Sequence, residues 1–342
     1  MISNKYKLKR GSTVAIVSPS SGAAATYPTV YREGIKNLEE IFGLNVTEYP
    51  TARMDNDQLH KNPALRAKDI NDAFADDSIN GIITSIGGDD SVRILPFLDK
   101  KIIQSNPKFF LGYSDATVLH SYLNQLGLVT FHGPSVMAGF AQTKHLPKEF
   151  EQHINNFLFT DVEAYDYVAY PQYCDGYLDW SDIKTAGKTA PLKPNEGWHW
   201  INGTGPIKGA LFGGCIEALE FIKSTDYWPP KQFWNNKILF LETSEEKPSI
   251  DQVKYMLRNY GTQGIFNQIS ALIFGRPIHY TNEEKVKLET IIMNIVVDEF
   301  GVKNLPIITN MDFGHTDPQL IMPLGMDLAI DFTKKTIKIM NP

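Results

Sequence analysis

The 342-residue sequence predicts an α/β protein in which an N-terminal doubly wound parallel sheet is joined to a C-terminal β-rich domain. Three observations point there. Short apolar runs without alternation recur through residues 13–112, as strands buried on both faces require. Stretches of helical spacing separate them, which is the pattern of a parallel sheet covered by helices. After residue 205 the apolar runs follow one another more closely, with one clear helix among them. The length also exceeds the usual size of one hydrophobic core, so two domains are expected.

Taken in order, Thr13–Val17 is a continuous apolar run that ends in Ser18-Pro19-Ser20-Ser21-Gly22, a strand followed by a loop. Residues 28–43 carry helical spacing and stop at Gly43, a natural C-cap. A strand over Leu44–Tyr49 and a helix over Leu65–Asp76 follow, then a buried strand over Ile79–Ile86 that runs into Gly87-Gly88-Asp89-Asp90. A helix is expected from Ser91, a strand over Phe109–Gly112 and a helix over Asp115–Leu126. Residues 161–205 break this rhythm. They lack periodicity yet hold Tyr173, Tyr177, Trp180, Trp198 and Trp200, too aromatic for disorder, and read as a long segment crossing between residues 1–160 and 206–342. In the last part, strands are expected over Pro206–Phe212, Lys237–Glu242, Ile269–Phe274, Pro306–Thr309 and Asp327–Asp331, with a helix over Ser249–Gly261.

The charge balance narrows the function. Thirty-three basic residues stand against 39 acidic ones, a net charge of −6, and no basic cluster suits a nucleic-acid backbone. No segment approaches the roughly 20 apolar residues that span a bilayer. The opening run Met1–Gly11 is basic, but the apolar stretch behind it is far too short for a secretory signal, so a cytoplasmic location is expected. Cys174 and Cys215 have neither metal nor redox spacing. They are expected to be free thiols, with a single disulfide as the alternative.

Three loops with small or polar residues leave strand ends: Ser18–Gly22, Gly87–Asp90 and Gly112–Asp115. Ligands collect at such ends in parallel sheets. In Gly112-Tyr113-Ser114-Asp115-Ala116 a strand gives way to a helix, with small residues two positions either side of a serine. That is the layout of a nucleophile elbow. An N-cap serine explains the same pentapeptide equally well. A nucleophilic serine needs a histidine base and an orienting carboxylate. Of the eight histidines, His315 lies in the polar loop Asp312–Pro318 behind a strand, whereas His120 and His132 fall within regular elements and suit structural roles. Glu242 ends an apolar run, with Glu245 and Glu246 as nearby competitors. The amides of Gly88 and Asp115 are natural oxyanion donors. Metal chemistry is the weaker rival: Asp312, His315 and Asp317 match no metal-ligand spacing, and no metal or cofactor is expected.

These stretches resemble the LD-carboxypeptidase family of serine peptidases. The resemblance is carried in order by Val14–Ser20, Ser85–Gly88, Gly112–Thr117, Thr130–Pro134, Gly209–Gly214, Leu239–Glu242, Gly275–Pro277, Phe313–Thr316 and Met322–Gly325. It implies a Ser114–Glu242–His315 triad, oxyanion donors at Gly88 and Asp115, substrate contact at Gly87, and a homodimer. It also implies an active site formed between the two domains. One branch of the family trims D-alanine from murein tetrapeptides. The other resembles the microcin C self-immunity protein, which cleaves an aminoacyl group from a modified adenylate and carries an aromatic loop that stacks on the base. Leu178-Asp179-Trp180, Leu192–Asn195 and Trp198 look like that loop, so an aminoacyl- or peptidyl-nucleotide substrate is expected, with Trp180 stacking on it. The alternatives are murein LD-carboxypeptidase activity, with Trp180 and Trp198 merely packing the loop, or a non-catalytic small-ligand-binding module. The chain departs from the family pattern at Gly213-Gly214-Cys215, where many relatives read Gly-Gly-Asn; Glu217 is the nearby polar residue that could compensate.

Overall fold

In the computed structural model, which describes residues 6–160 and 164–340, the apolar runs of the N-terminal part form β1 (Thr13–Val17), β2 (Asn45–Glu48), β3 (Gly81–Thr84), β4 (Phe109–Gly112) and β5 (Thr130–His132). They lie parallel in the order β2-β1-β3-β4-β5. Every residue of β3 and β4 is buried, which is why these runs are apolar throughout rather than alternating. The helices Pro28–Glu40, Pro63–Ala75 and Ala116–Gln125 connect strands of this sheet. From β1 the chain moves out to β2 and then crosses back to β3 on the other side. The loops behind β1 and β3 therefore diverge and leave a crevice at the strand ends.

The second sheet is built from β6 (Ala164–Tyr167), β9 (His199–Asn202), β10 (Pro206–Cys215), β11 (Lys237–Glu242), β12 (Ala271–Gly275), β13 (Ile307–Met311), β15 (Asp327–Asp331) and β16 (Thr336–Met340). Its order is β6-β16-β15-β10-β11-β12-β13-β9, with β10 to β13 parallel. A capping box between Ser249 and Gln252 starts the helix Ile250–Thr262, as the sequence predicted for that stretch. The remaining strands are β7 (Gln172–Cys174) and β8 (Leu192–Pro194), which pair only with each other, and β14 (Met322–Leu324), which adds antiparallel to β5. The C-terminal part thus lends a strand to the N-terminal sheet. Buried side chains from both sheets form one contiguous core.

Two expectations need correcting. The stretch from Ser91 is a 3₁₀ helix ending at Phe97; the ring of Pro96, inside it, would clash with the carbonyl four residues earlier in an α-helix. The segment expected to cross without regular structure is instead tied to both edges of the second sheet, β6 pairing with β16 and β9 with β13. Residues 161–163 of that segment lie outside the described residues. No described helix is long and apolar enough to cross a membrane. Cys174 and Cys215 are both buried free thiols.

Candidate active site

The crevice at the strand ends is fixed by a small set of buried contacts. Arg66 reaches up from its helix to the Pro19 carbonyl (2.8 Å) and to Asp90 (3.3 Å), pinning the loops behind β1 and β3 together. Asp115 then fastens the Gly87–Asp90 loop to the start of the next helix, since its Oδ2 accepts from the amides of Asp90 (3.0 Å) and Ser91 (2.8 Å). The N-cap reading of Ser114 does not hold. Asp115, not Ser114, occupies the N-cap position, and it makes no side-chain cap bond. Ser114 has a φ of +60°, a conformation uncommon outside glycine, which marks a sharp turn between β4 and the helix. Its hydroxyl makes no hydrogen bond to another described residue and lines a cavity. Gly87 permits this turn: a Cβ there would lie 2.6 Å from Ser114 Cβ and 2.7 Å from its Oγ.

Glu242 is the last residue of β11 and is fully buried. His315 Nδ1 donates to Glu242 Oε2 at 2.7 Å, the carboxylate being able only to accept. Gly314 allows the pairing, because a Cβ at that position would sit 2.6 Å from the same Oε2. The other ring nitrogen is therefore the one left for proton transfer. Here a residue enters that sequence reasoning had ranked only as a competitor. Glu245 places Oε2 at 3.0 Å from His315 Nε2 with its side chain 62% exposed. Burial alone would lower the His315 pKa, but the two carboxylates override it and hold it up to about 10. The close contact with His315 pulls Glu245 down to about 2, whereas burial raises Glu242.

The other histidines behave as the sequence predicted. His120 donates to the Gly112 carbonyl (2.8 Å) and burial lowers its pKa to about 4. His132 is buried with Nε2 at 3.9 Å from Glu242 Oε1 and packs on Phe240. Burial lowers the pKa of His132 as well, so both suit structural roles.

Two cavities meet at the serine. One, of about 400 Å³, is walled by Tyr27, Tyr113, Tyr177 and Trp180 and also reaches Gly87, Gly88 and His315. The other, of about 550 Å³, is lined by Asp57, Asp89, Asp90, Glu217, Glu245 and Glu246 among others, with Cys215 beside them. They share Ser21, Gly88, Ser114 and Glu245. Trp180 makes edge contact with Tyr27 (5.8 Å between ring centres) and a tilted contact with Tyr177 (5.4 Å). Tyr177 in turn donates to Asp317 (2.7 Å), so the aromatic wall is anchored on the loop that carries His315. Trp198 does not join this wall. Its Nε1 donates to the buried Asp312 (2.7 Å), which also accepts from Arg276 and Asn195. Glu217, beside Cys215, accepts from the amide and hydroxyl of Ser244 and so braces the Glu245 loop. No group of three or more His, Cys, Asp or Glu among the described residues is arranged to hold a metal ion.

Comparison with known proteins agrees with this geometry. The LD-carboxypeptidase N-terminal domain matches residues 14–133, and the LD-carboxypeptidase C-terminal domain matches residues 208–330. The microcin C7 self-immunity protein MccF of Escherichia coli is 28% identical over 333 residues, spanning 96% of this chain and 93% of its own. An MccF-like protein from Streptococcus pneumoniae, solved in complex with AMP, superposes with a TM-score of 0.85 at 29% identity, over 96% of this chain and 98% of that one. MccF in complex with aspartyl sulfamoyl adenosine superposes with a TM-score of 0.85 at 27% identity, over 98% of both chains. With both domain families matched in order, the chain belongs to the LD-carboxypeptidase family of serine hydrolases, in its MccF-like branch.

Proposed function

We propose that this enzyme hydrolyses the bond joining an aminoacyl group to a nucleotide-like carrier, using Ser114 as nucleophile, His315 as base and Glu242 as the residue that orients the base. The observation that carries the reading is one arrangement. A serine at positive φ, its hydroxyl unengaged, shares a cavity with a histidine locked to a buried glutamate, under a wall of four aromatic rings. His315 Nε2 takes the Ser114 proton as Oγ attacks the scissile carbonyl, and Glu242 stabilises the imidazolium that forms. The amides of Asp115, at the elbow, and Gly88, in the facing loop, would donate to the developing oxyanion; neither donates to another described residue. Gly87 gives the substrate backbone room beside Ser114. The base stacks on Trp180, whose contribution of roughly 1–3 kcal/mol favours nucleotide-bearing substrates. The AMP and aminoacyl sulfamoyl adenosine held by the relatives support this choice of substrate. The resemblance further supports a homodimer, and the free thiols Cys174 and Cys215 suit a reducing cytoplasm.

The test is a substrate panel with purified enzyme, setting an aminoacyl sulfamoyl adenosine against a murein tetrapeptide. Cleavage of the adenylate analogue, lost in Ser114→Ala, is expected. Cleavage of the tetrapeptide alone would reassign the enzyme to cell-wall peptides.

A further inference from the structure

The contact between Glu245 and His315 is unexpected in a resting hydrolase. Nε2 is the atom that must receive the Ser114 proton, yet a carboxylate oxygen stands 3.0 Å from it. Held between Glu242 and Glu245, the imidazole is favoured in its protonated form, which makes it a poor base. For Nε2 to take the Ser114 proton, the carboxylate has to move aside. Its side chain is mostly exposed and sits where the two cavities join, so nothing encloses it.

What could draw it away is set by the surroundings. The larger cavity presents Asp89, Glu217 and Glu246 beside Glu245, and neither lysine nor arginine lines it. Its one histidine, His60, is already paired with Asp90 (3.0 Å). Buried Asp115 lines the same cavity with Oδ1 unpartnered among the described residues. Such a wall attracts a cation and repels an anion. Position narrows the cation further. The acyl carbon attacked by Ser114 lies one bond from the α-carbon and two from the α-nitrogen of an aminoacyl group. A carboxylate touching the catalytic nitrogen of His315 is within reach of that ammonium.

We infer that Glu245 is the specificity-determining residue for a free α-ammonium group on the acyl part of the substrate, and that binding this ammonium frees His315 for catalysis. The inference rests on the aminoacyl-nucleotide reading above. In the free enzyme Glu245 caps the imidazolium. When the substrate enters, its ammonium takes over the Glu245 carboxylate through charge-assisted hydrogen bonds. The imidazolium, left with Glu242 as its close carboxylate partner, releases its Nε2 proton to solvent. Nε2 then accepts the Ser114 proton as the acyl bond to Oγ forms. The groups facing His315 from the surrounding elements are Glu242, Glu245, Asp317, Tyr113 and His132.

The experiment compares alanyl with isobutyryl sulfamoyl adenosine, which differ only in an ammonium against a methyl group of similar size. The wild-type enzyme is expected to favour the alanyl compound by about 10- to 100-fold in kcat/KM. In Glu245→Gln that preference should fall to within about threefold, chiefly through a higher KM for the alanyl compound, while isobutyryl cleavage stays equal or rises. Removing one anion beside the imidazolium destabilises its charged form, so the acidic limb of the free-enzyme profile should move to lower pH. Comparing the ratio across the two enzymes cancels the intrinsic reactivity of the compounds. Equal cleavage of both by wild type, or an unchanged ratio in Glu245→Gln, overturns this inference alone. If wild type cleaves neither, while a serine-directed phosphonate still labels Ser114, the aminoacyl-nucleotide reading fails and takes the inference with it.

Discussion

The two cavities that meet at Ser114 are built on opposite principles. The one beneath Tyr27, Tyr113, Tyr177 and Trp180 offers flat apolar faces, suited to dispersion and stacking with a ring of almost any identity. The one beside Glu217, Glu245 and Glu246 offers carboxylates, suited to charge and direction. The aromatic side is tied to the catalytic machinery through rigid bonds, Tyr177 to Asp317 and Tyr113 against the His315 ring. The acidic side reaches the same histidine through an exposed side chain. On the proposed reading the contrast is a division of labour: one side would hold the leaving group in place, and the other would sense the acyl group and set the state of the base.

Breaking the junction itself has the largest effect. Ser114→Ala should lower kcat by about 10⁴-fold or more while thermal unfolding stays near wild type, because the substitution removes one oxygen from a site with no hydrogen bond to lose. Glu242→Gln keeps the shape but can donate where only acceptance is wanted, so kcat should fall by about 10³- to 10⁴-fold with KM little changed. Steady-state kinetics on one substrate separate these two from a binding defect. Trp180→Ala should raise KM for aminoacyl sulfamoyl adenosines by about 10- to 100-fold, and leave cleavage of a substrate without a base unaffected. An equal loss on both substrates would make Trp180 a packing residue. The smallest effect on activity belongs to Trp198→Phe. That change removes a donor from Asp312, and should cost about 1–3 kcal/mol in urea unfolding with kinetics close to wild type.

These contrasts also show what was legible in the residues. The parallel strands were readable because burial on both faces leaves apolar runs with no polar alternation, as in Gly81–Thr84 and Phe109–Gly112. Ser114, Glu242 and His315 could be found because each sits at or just beyond a strand end, a position that local pattern reveals. The short strands Ala164–Tyr167 and His199–Asn202 were not readable. They are sheet edges whose partners, Thr336–Met340 and Ile307–Met311, lie more than a hundred residues away, so no local period announces them. The aromatic wall was half legible: Trp180 was singled out, but Tyr27 and Tyr113 come from distant segments that only the tertiary fold assembles. Trp198, grouped with Trp180 by sequence, proves to be a structural donor to Asp312. Glu245 was visible as a carboxylate near Glu242, but its contact with Nε2 depends on the loop braced by Glu217 and Ser244.

The central claim is that Ser114 attacks the acyl group at the meeting point of these two sides. Rapid quenching of the enzyme with an aminoacyl sulfamoyl adenosine, followed by mass spectrometry of its peptides, tests it most directly. An added acyl mass on the peptide containing Ser114, absent in Ser114→Ala, is the predicted result. Acylation of a different residue, or undiminished turnover in Ser114→Ala, would contradict it.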